Sequence, residues 1–333
     1  MKMQKIIFIA TIIIAMVSIY MPPVSSRPID SGLRYKDSKP LVVTTTSVLS
    51  SIVEDLAGDL VEVSYIVPPS LCPGHYDVKP SDVELVRNAD LIFKHGIMGE
   101  QWFDDLINMA NESGDLHVPI VEVGKSWNTP SAARTLYTNV ANAIEENLGL
   151  DLGSKLDNCI SAINKTENEL MGISENNSFS NVPVVVMLWQ KSFVEFLGFN
   201  VVAVYGPPEK VSEQDISEIE DNATKASAKL VIDNLHSGVS LGERIAGDIG
   251  AVHVVLINFP GVVPEANNLT EMMLYNAKLL ANALEDYEYH VEIQKLRGEV
   301  SLWKWTTFGL IILCVIEAVI IVLFMRRRGV GES

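Results

Sequence analysis

Leu41-Val42-Val43-Thr44-Thr45-Thr46-Ser47-Val48-Leu49 is the stretch on which the fold turns. The β-branched run from Leu41 to Thr45 reads as a strand, and the apolar positions from Val48 to Ala57 fall at helical spacing. Working outward, strand-like runs recur at Val61–Val67, Leu91–Phe93 and Ile120–Val123, with helical patterns at Pro80–Asn88 and Gln101–Met109 between them. Such alternation marks βαβ units and therefore a parallel sheet.

After Trp127-Asn128-Thr129-Pro130 the pattern turns helical over Ser131–Asn147 and again from Leu152 to about Ile173. Glu175-Asn176-Asn177-Ser178-Phe179-Ser180 then breaks it. A second alternation follows, with strands at Val182–Leu188, Val201–Val204, Leu230–Ile232 and Val252–Ile257. Helices are expected at Lys191–Leu197, Glu213–Ser227 and Ser240–Ile249 between those strands, and at Met272 to about Leu296 after them. The body of about 270 residues exceeds what one α/β core usually needs. Two α/β lobes with parallel sheets are expected, over 38–150 and 181–296, with a linker helix over 151–174 as the natural hinge.

Both ends are apolar. Two lysines precede the uncharged run Ile6–Tyr20, and Pro22-Pro23 with small residues follows, so 1–26 reads as a signal peptide, with an uncleaved anchor as the alternative. Residues 303–325 read as a membrane span, entered at Trp303 and Trp305 and followed by Arg326-Arg327-Arg328. That order puts the tail 326–333 in the cytoplasm and the body outside, held at the cell membrane by a single C-terminal anchor. Glu317 lies inside the span, where an acid is costly and points to helix pairing or another role.

The formal net charge of −17 over 333 residues excludes nucleic acid as a partner, because phosphate binding needs basic patches and none precedes the last arginines. Three cysteines, with Cys314 in the span, leave Cys72 and Cys159 for the body, too few for a disulfide framework. Asn-x-Ser/Thr sites begin at Asn111, Asn164, Asn176, Asn222 and Asn268 and are compatible with an external body. No nucleophile elbow, phosphate loop, His-Glu-x-x-His or Cys-x-x-Cys occurs, so the chain reads as a receptor and not an enzyme.

The candidate site begins in Val67-Pro68-Pro69-Ser70-Leu71-Cys72-Pro73-Gly74-His75-Tyr76-Asp77-Val78-Lys79-Pro80-Ser81-Asp82. Its prolines fix φ and remove donors, so the segment is a stiffened loop presenting His75. With Leu41–Leu49 upstream and Asn88-Ala89-Asp90-Leu91-Ile92-Phe93 downstream, it resembles the zinc- and manganese-binding solute receptors of ABC importers, over roughly Pro40 to Leu284. The resemblance implies a long helix joining two lobes, a ligand cleft between them, zinc or manganese as cargo, and a membrane permease with its ATPase as partners. It also implies a set of histidines and a carboxylate, one from each of four loops.

Residue by residue, Pro73-Gly74-His75-Tyr76-Asp77 resembles the first ligand loop and makes His75 the metal candidate there. In Val123-Gly124-Lys125-Ser126-Trp127-Asn128-Thr129-Pro130 the histidine position holds Lys125, a cation and not a metal ligand. In Leu188-Trp189-Gln190-Lys191 the matching position is Gln190, with Trp189 as the other register. In Leu256-Ile257-Asn258-Phe259-Pro260-Gly261, Asn258 replaces an aspartate. His236 and His95, each at a strand end, and Cys72 as a soft ligand, are further candidates, whereas His117, His253 and His290 read as surface or helix-packing residues.

Three readings stay open on these residues. The first is a metal receptor using His75, Gln190, Asn258 and His236. The second is a receptor of the same fold for an anionic or chelated solute, with Lys125 as counter-charge and Trp189 setting orientation. The third is a surface adhesion or interaction protein with a degenerate metal site.

Overall fold

Valine, isoleucine and threonine runs flanked by amphipathic helices give strands buried on both faces, which is the condition for parallel sheets. In the computed structural model, which describes residues 38–329, eight strands form two four-stranded parallel sheets, and such burial is reached in the two central strands of each. The expected signal peptide over 1–26 and the last four residues of the tail lie outside the described residues.

The first sheet has the order β2-β1-β3-β4, from β1 (Leu41–Thr46), β2 (Glu62–Val67), β3 (Leu91–Lys94) and β4 (Ile120–Glu122). Helices α1 (Ser47–Ala57), α2 (Pro80–Asn88) and α3 (Gln101–Ala110) intervene. α4 (Pro130–Leu148) follows, with the Thr129 hydroxyl accepting from the Ala132 amide at its start and Gly149 at φ +68° ending it. α5 (Gly153–Asn176) then leads to the second sheet.

That sheet repeats the order, β6-β5-β7-β8, from β5 (Pro183–Met187), β6 (Asn200–Tyr205), β7 (Leu230–Asn234) and β8 (Val252–Leu256). Its helices are α6 (Lys191–Phe196), α7 (Glu213–Ala226) and α8 (Ser240–Ile249).

Side-chain alternation sorts the core. Val42, Leu91 and Phe93 of the first sheet and Val184, Val186, Leu230 and Ile232 of the second belong to one continuous apolar cluster. It also contains Ile163 and Leu170 of α5 and Met272, Met273, Ala277, Leu280 and Leu284 of the last helix. The opposite faces pack separately, Val43 and Ile92 with Phe103 and Leu106, and Val185 and Val231 with Ile216 and Ile245. The lobes therefore share their largest core, and the residues from Pro40 onward form a single unit.

One expectation is corrected. A last helix ending near Leu296 and a separate span over 303–325 are in fact one 61-residue helix, α9 (Leu269–Gly329). No proline interrupts it, and the isolated Gly298 and Gly309 weaken a helix without ending it. Within Leu269–Ile321 lies a stretch long and apolar enough to cross a membrane.

Candidate functional site

In both sheets the chain reverses its direction of strand addition between the two central strands, β1 and β3 in one, β5 and β7 in the other. Crevices at the carboxyl ends of such strands are where open α/β sheets bind ligands. At the first switch point His95 is fully buried. Its Nδ1 donates to the Gly124 carbonyl at 2.9 Å, which leaves Nε2 to accept from the Thr46 hydroxyl at 2.9 Å. Burial lowers its pKa, against the opposing pull of Glu100 and of the Gly124 bond, so the ring is neutral. Glu100 is pinned beside it, accepting from the Thr45 hydroxyl and from the backbone amides of His95, Gly96 and Ile97.

The second switch point is built from amides and one imidazole. A single turn, Leu188–Gln190, follows β5 and turns Gln190 fully inward, where its Nε2 donates to Asn258 Oδ1 at 3.0 Å. Trp189, the alternative register, is 41% exposed. After β7, Asn234 donates to the Ser237 hydroxyl, and the His236 Nε2 donates to the Pro69 carbonyl at 2.8 Å. Burial lowers the His236 pKa more than that bond raises it, which keeps the ring neutral with a lone pair on Nδ1.

Three acceptor atoms here, Gln190 Oε1, Asn234 Oδ1 and His236 Nδ1, are buried with no hydrogen-bond partner among the described residues. Buried acceptors without donors are uncommon, and each calls for a bound donor or cation.

Direct bonds tie the two lobes together across the cleft. Ser47 Oγ donates to the Pro260 carbonyl at 2.8 Å, and Trp127 Nε1 donates to the Asn258 carbonyl at 2.9 Å. Asn128 Nδ2 donates to the Trp189 carbonyl at 2.9 Å, and the His236–Pro69 bond is the fourth. An aromatic row runs with them: His95 to Trp127 at 4.5 Å, Trp127 to Phe259 at 5.9 Å, and Phe259 edge-on to His236 at 4.7 Å. Gly261 adopts φ +85°, a left-handed conformation that favours glycine, as the chain passes beside the Pro69 ring.

The sequence-selected residues therefore divide into two groups. Gln190, Asn258 and His236 come together in the second lobe, with His95 facing the same aromatic row from the first. His75 is exposed in a short turn (Pro73–His75) and makes no side-chain bond or ring contact with that group among the described residues. Lys125 is exposed and makes no ion pair among the described residues, and Cys72 is a half-buried free thiol. No group of three or more His, Cys, Asp or Glu able to hold a metal is gathered among the described residues.

His253 departs from its expected surface role: its Nε2 bonds Asp233 Oδ2 at 3.1 Å, and Asp233 is fully buried. The Tyr205 hydroxyl lies beside this carboxylate, and burial together with that charge pushes its pKa well up. Gly242 in α8 admits the pair, since a Cβ there would fall 2.2 Å from Asp233 Oδ2. Sequence reasoning passed over Ser47, Thr46 and Phe259 as site residues. All three lie inside the stretches Leu41–Leu49 and Leu256–Gly261, but their partners lie on distant segments.

The family model for the zinc-uptake complex component A, periplasmic (ZnuA), matches residues 42–283. Among curated relatives, the manganese ABC transporter substrate-binding lipoprotein PsaA of Streptococcus pneumoniae is 43% identical over 75 residues. That match covers 21% of this chain and 24% of PsaA, so the chain spans about a quarter of the length of the curated relatives it matches first.

Among solved structures, ZnuA superposes with a TM-score of 0.60 at 18% identity, covering 74% of this chain and 100% of that one. The periplasmic zinc-binding protein TroA of Treponema pallidum gives 0.64 at 15% identity, covering 74% and 99%. At such identities the two superpositions establish a common fold. The family match extends over most of the chain and over both switch points, and on it the chain belongs to the ZnuA family of metal ABC transporter substrate-binding proteins.

Proposed function

We propose that the chain is the extracytoplasmic receptor of a metal ABC importer. It takes zinc or manganese into the crevice between its lobes and passes the ion to a membrane permease powered by an ATPase. The body lies outside the cytoplasm, with α9 as its C-terminal anchor. The metals named for PsaA and for the family support the cargo class. The observation that carries the reading is the trio of buried acceptors without donors, Gln190 Oε1, Asn234 Oδ1 and His236 Nδ1, at the second switch point.

Lone pairs of this kind suit a cation. His236 and Gln190 are the inner ligands, with Asn258 beside them, and His75, exposed on the proline loop, joins them by movement of that loop. Lys125 and Trp189 border the entrance. Without a carboxylate, this set offsets less of the dehydration of a dication than three histidines and an acid would, so binding is weak for the family.

Calorimetry of the full chain with zinc and with manganese tests this. Binding weaker than roughly micromolar is expected. It should be lost in His236→Ala, reduced in His75→Ala, and tightened in Lys125→His, which removes a repelling charge and adds a ligand. No binding of either metal would overturn the cargo class, and nanomolar binding that survives both alanine variants would move the site elsewhere.

A further inference from the structure

Helix α9 carries a second pattern that the receptor reading does not use. Its fully buried body-facing residues end at Leu284, and beyond it Tyr287 lies under Lys229 and Glu288 pairs with Lys229 at 3.5 Å. Immediately beyond, Tyr289, Ile293, Leu296, Val300 and Trp303 follow one another at spacings of four, three, four and three. That is a heptad stripe, the signature of a left-handed coiled coil. At 3.6 residues per turn, Leu280 and Leu284 lie roughly 140–180° around the helix from Tyr289, so the stripe faces away from the body. Tyr289 is 63%, Leu296 48%, Val300 52% and Trp303 73% exposed and Ile293 is half-buried, so most of the apolar row is uncovered in the single chain.

The residue types at the seam select two strands. Ile293 and Val300 are β-branched at a positions, and Leu296 lies at d, the combination that favours parallel dimers. The flanks select the occupant. With Tyr289 at d, the g positions are Glu285, Glu292 and Glu299, and the e positions are His290, Arg297 and Lys304. In a parallel, in-register pair each g residue meets the e residue five positions on in the other helix. This gives Glu285 with His290, Glu292 with Arg297, and Glu299 with Lys304, every one of them complementary. Among the described residues none of the six makes an ion pair within the chain.

The same spacing continues into the apolar segment through Thr307, Leu310, Cys314 and Glu317. A polar side chain in that setting is best satisfied by a facing helix.

We propose that α9 pairs in parallel with α9 of a second copy of this chain, through the seam Tyr289, Ile293, Leu296, Val300 and Trp303 and the Glu292–Arg297 and Glu299–Lys304 cross-pairs. Two heptads are short for a coiled coil free in water. Two chains entering one membrane in the same direction raise the effective concentration of each helix for the other and fix the parallel sense. Two receptor bodies then stand on a common stalk. Their clefts stay independent of the seam, so metal binding does not bear on this pairing.

The test is cysteine cross-linking of the full-length chain in its membrane, in a background in which Cys72, Cys159 and Cys314 are replaced by serine. Single cysteines at 289, 293, 296 and 300 should give at least tenfold more disulfide dimer than those at 294, 298 and 301, which face outward in the pair. Glu292→Arg should reduce dimer at the 296 reporter at least threefold, and Glu292→Arg with Arg297→Glu should restore it. Of the cysteine positions only 293 is half-buried and the rest are exposed in the single chain, so the fold is not at stake at 289, 296, 300, 294, 298 and 301, and those six carry the comparison if Ile293→Cys fails to fold. A flat or absent cross-linking profile, a peak on 294, 298 and 301, or failure of the double reversal to restore dimer would each overturn the proposal.

Discussion

Trp127→Phe isolates one of the bonds that close the cleft. The indole is 8% exposed, lies between the His95 and Phe259 rings, and donates from Nε1 to the Asn258 carbonyl at 2.9 Å. Phenylalanine keeps an aromatic ring in the row but has no donor. Leaving the buried carbonyl without that donor costs about 1–3 kcal/mol. The smaller ring adds about 1 kcal/mol for the lost volume, giving roughly 2–4 kcal/mol in total. Asn128→Ala is the internal control, because its bond to the Trp189 carbonyl also joins the lobes but is exposed, and should cost under about 1 kcal/mol. Guanidinium denaturation of both variants, followed by far-ultraviolet circular dichroism, reads the difference. A loss below about 0.5 kcal/mol for Trp127→Phe, or one equal to that of Asn128→Ala, would refute the claim that the buried indole bond contributes more to lobe closure than the exposed one.

Two further outcomes follow from buried polar groups. Burial lowers the folded-state pKa of His95 and His236 below the ordinary 6.5, so on acidification the unfolded chain takes up these protons first. Stability should therefore be full above about pH 6.5 and fall as pH drops below it, and His95→Gln should flatten the thermal midpoint measured from pH 7 to pH 5. Gly242→Ala would press a Cβ to 2.2 Å from the buried Asp233 carboxylate and should cost upwards of about 2 kcal/mol. A neutral effect in the same denaturation assay would mean that α8 does not lie so close to β7.

The strands were legible because Val42-Val43 and Val184-Val185-Val186 are buried on both sheet faces, and short β-branched runs of this kind suit a central parallel strand. The inward turn of Gln190 was harder to read. It rests on one short turn after β5, and a shift of a single residue would have sent Trp189 inward instead. His253 shows a different limit. Its alternation along β8 puts it on the outer face, but its acidic partner is set by the pairing of β8 with β7, a contact across 20 residues. The length of α9 was obscured for a third reason. The charged stretch after Leu284 looks like a helix end, and only the absence of any proline or capping turn, together with the uncovered heptad row, shows that the helix runs through it.

The cleft's own bonds bear on what cargo must do. Gln190 and Asn258 are buried, and the Trp127 indole of the opposite lobe is bonded to the Asn258 carbonyl, so on the proposed function an ion reaches them as inter-lobe contacts part. Each of the four bonds is worth about 0.5–1.5 kcal/mol net, and releasing all of them costs roughly 2–6 kcal/mol. A receptor open only to that extent loses a factor of about 30 to 10⁴ in apparent affinity relative to its open form. The shared core through α5 and α9 opposes a wide hinge motion as well, because the same cluster contains residues from both sheets. Weak neutral ligands and a self-closed cleft thus act in the same direction. A variant that loosens the latch without touching Gln190 or His236, such as Ser47→Ala, should tighten metal binding while it lowers stability. A variant that weakened both together would show that the latch builds the site and does not restrain it.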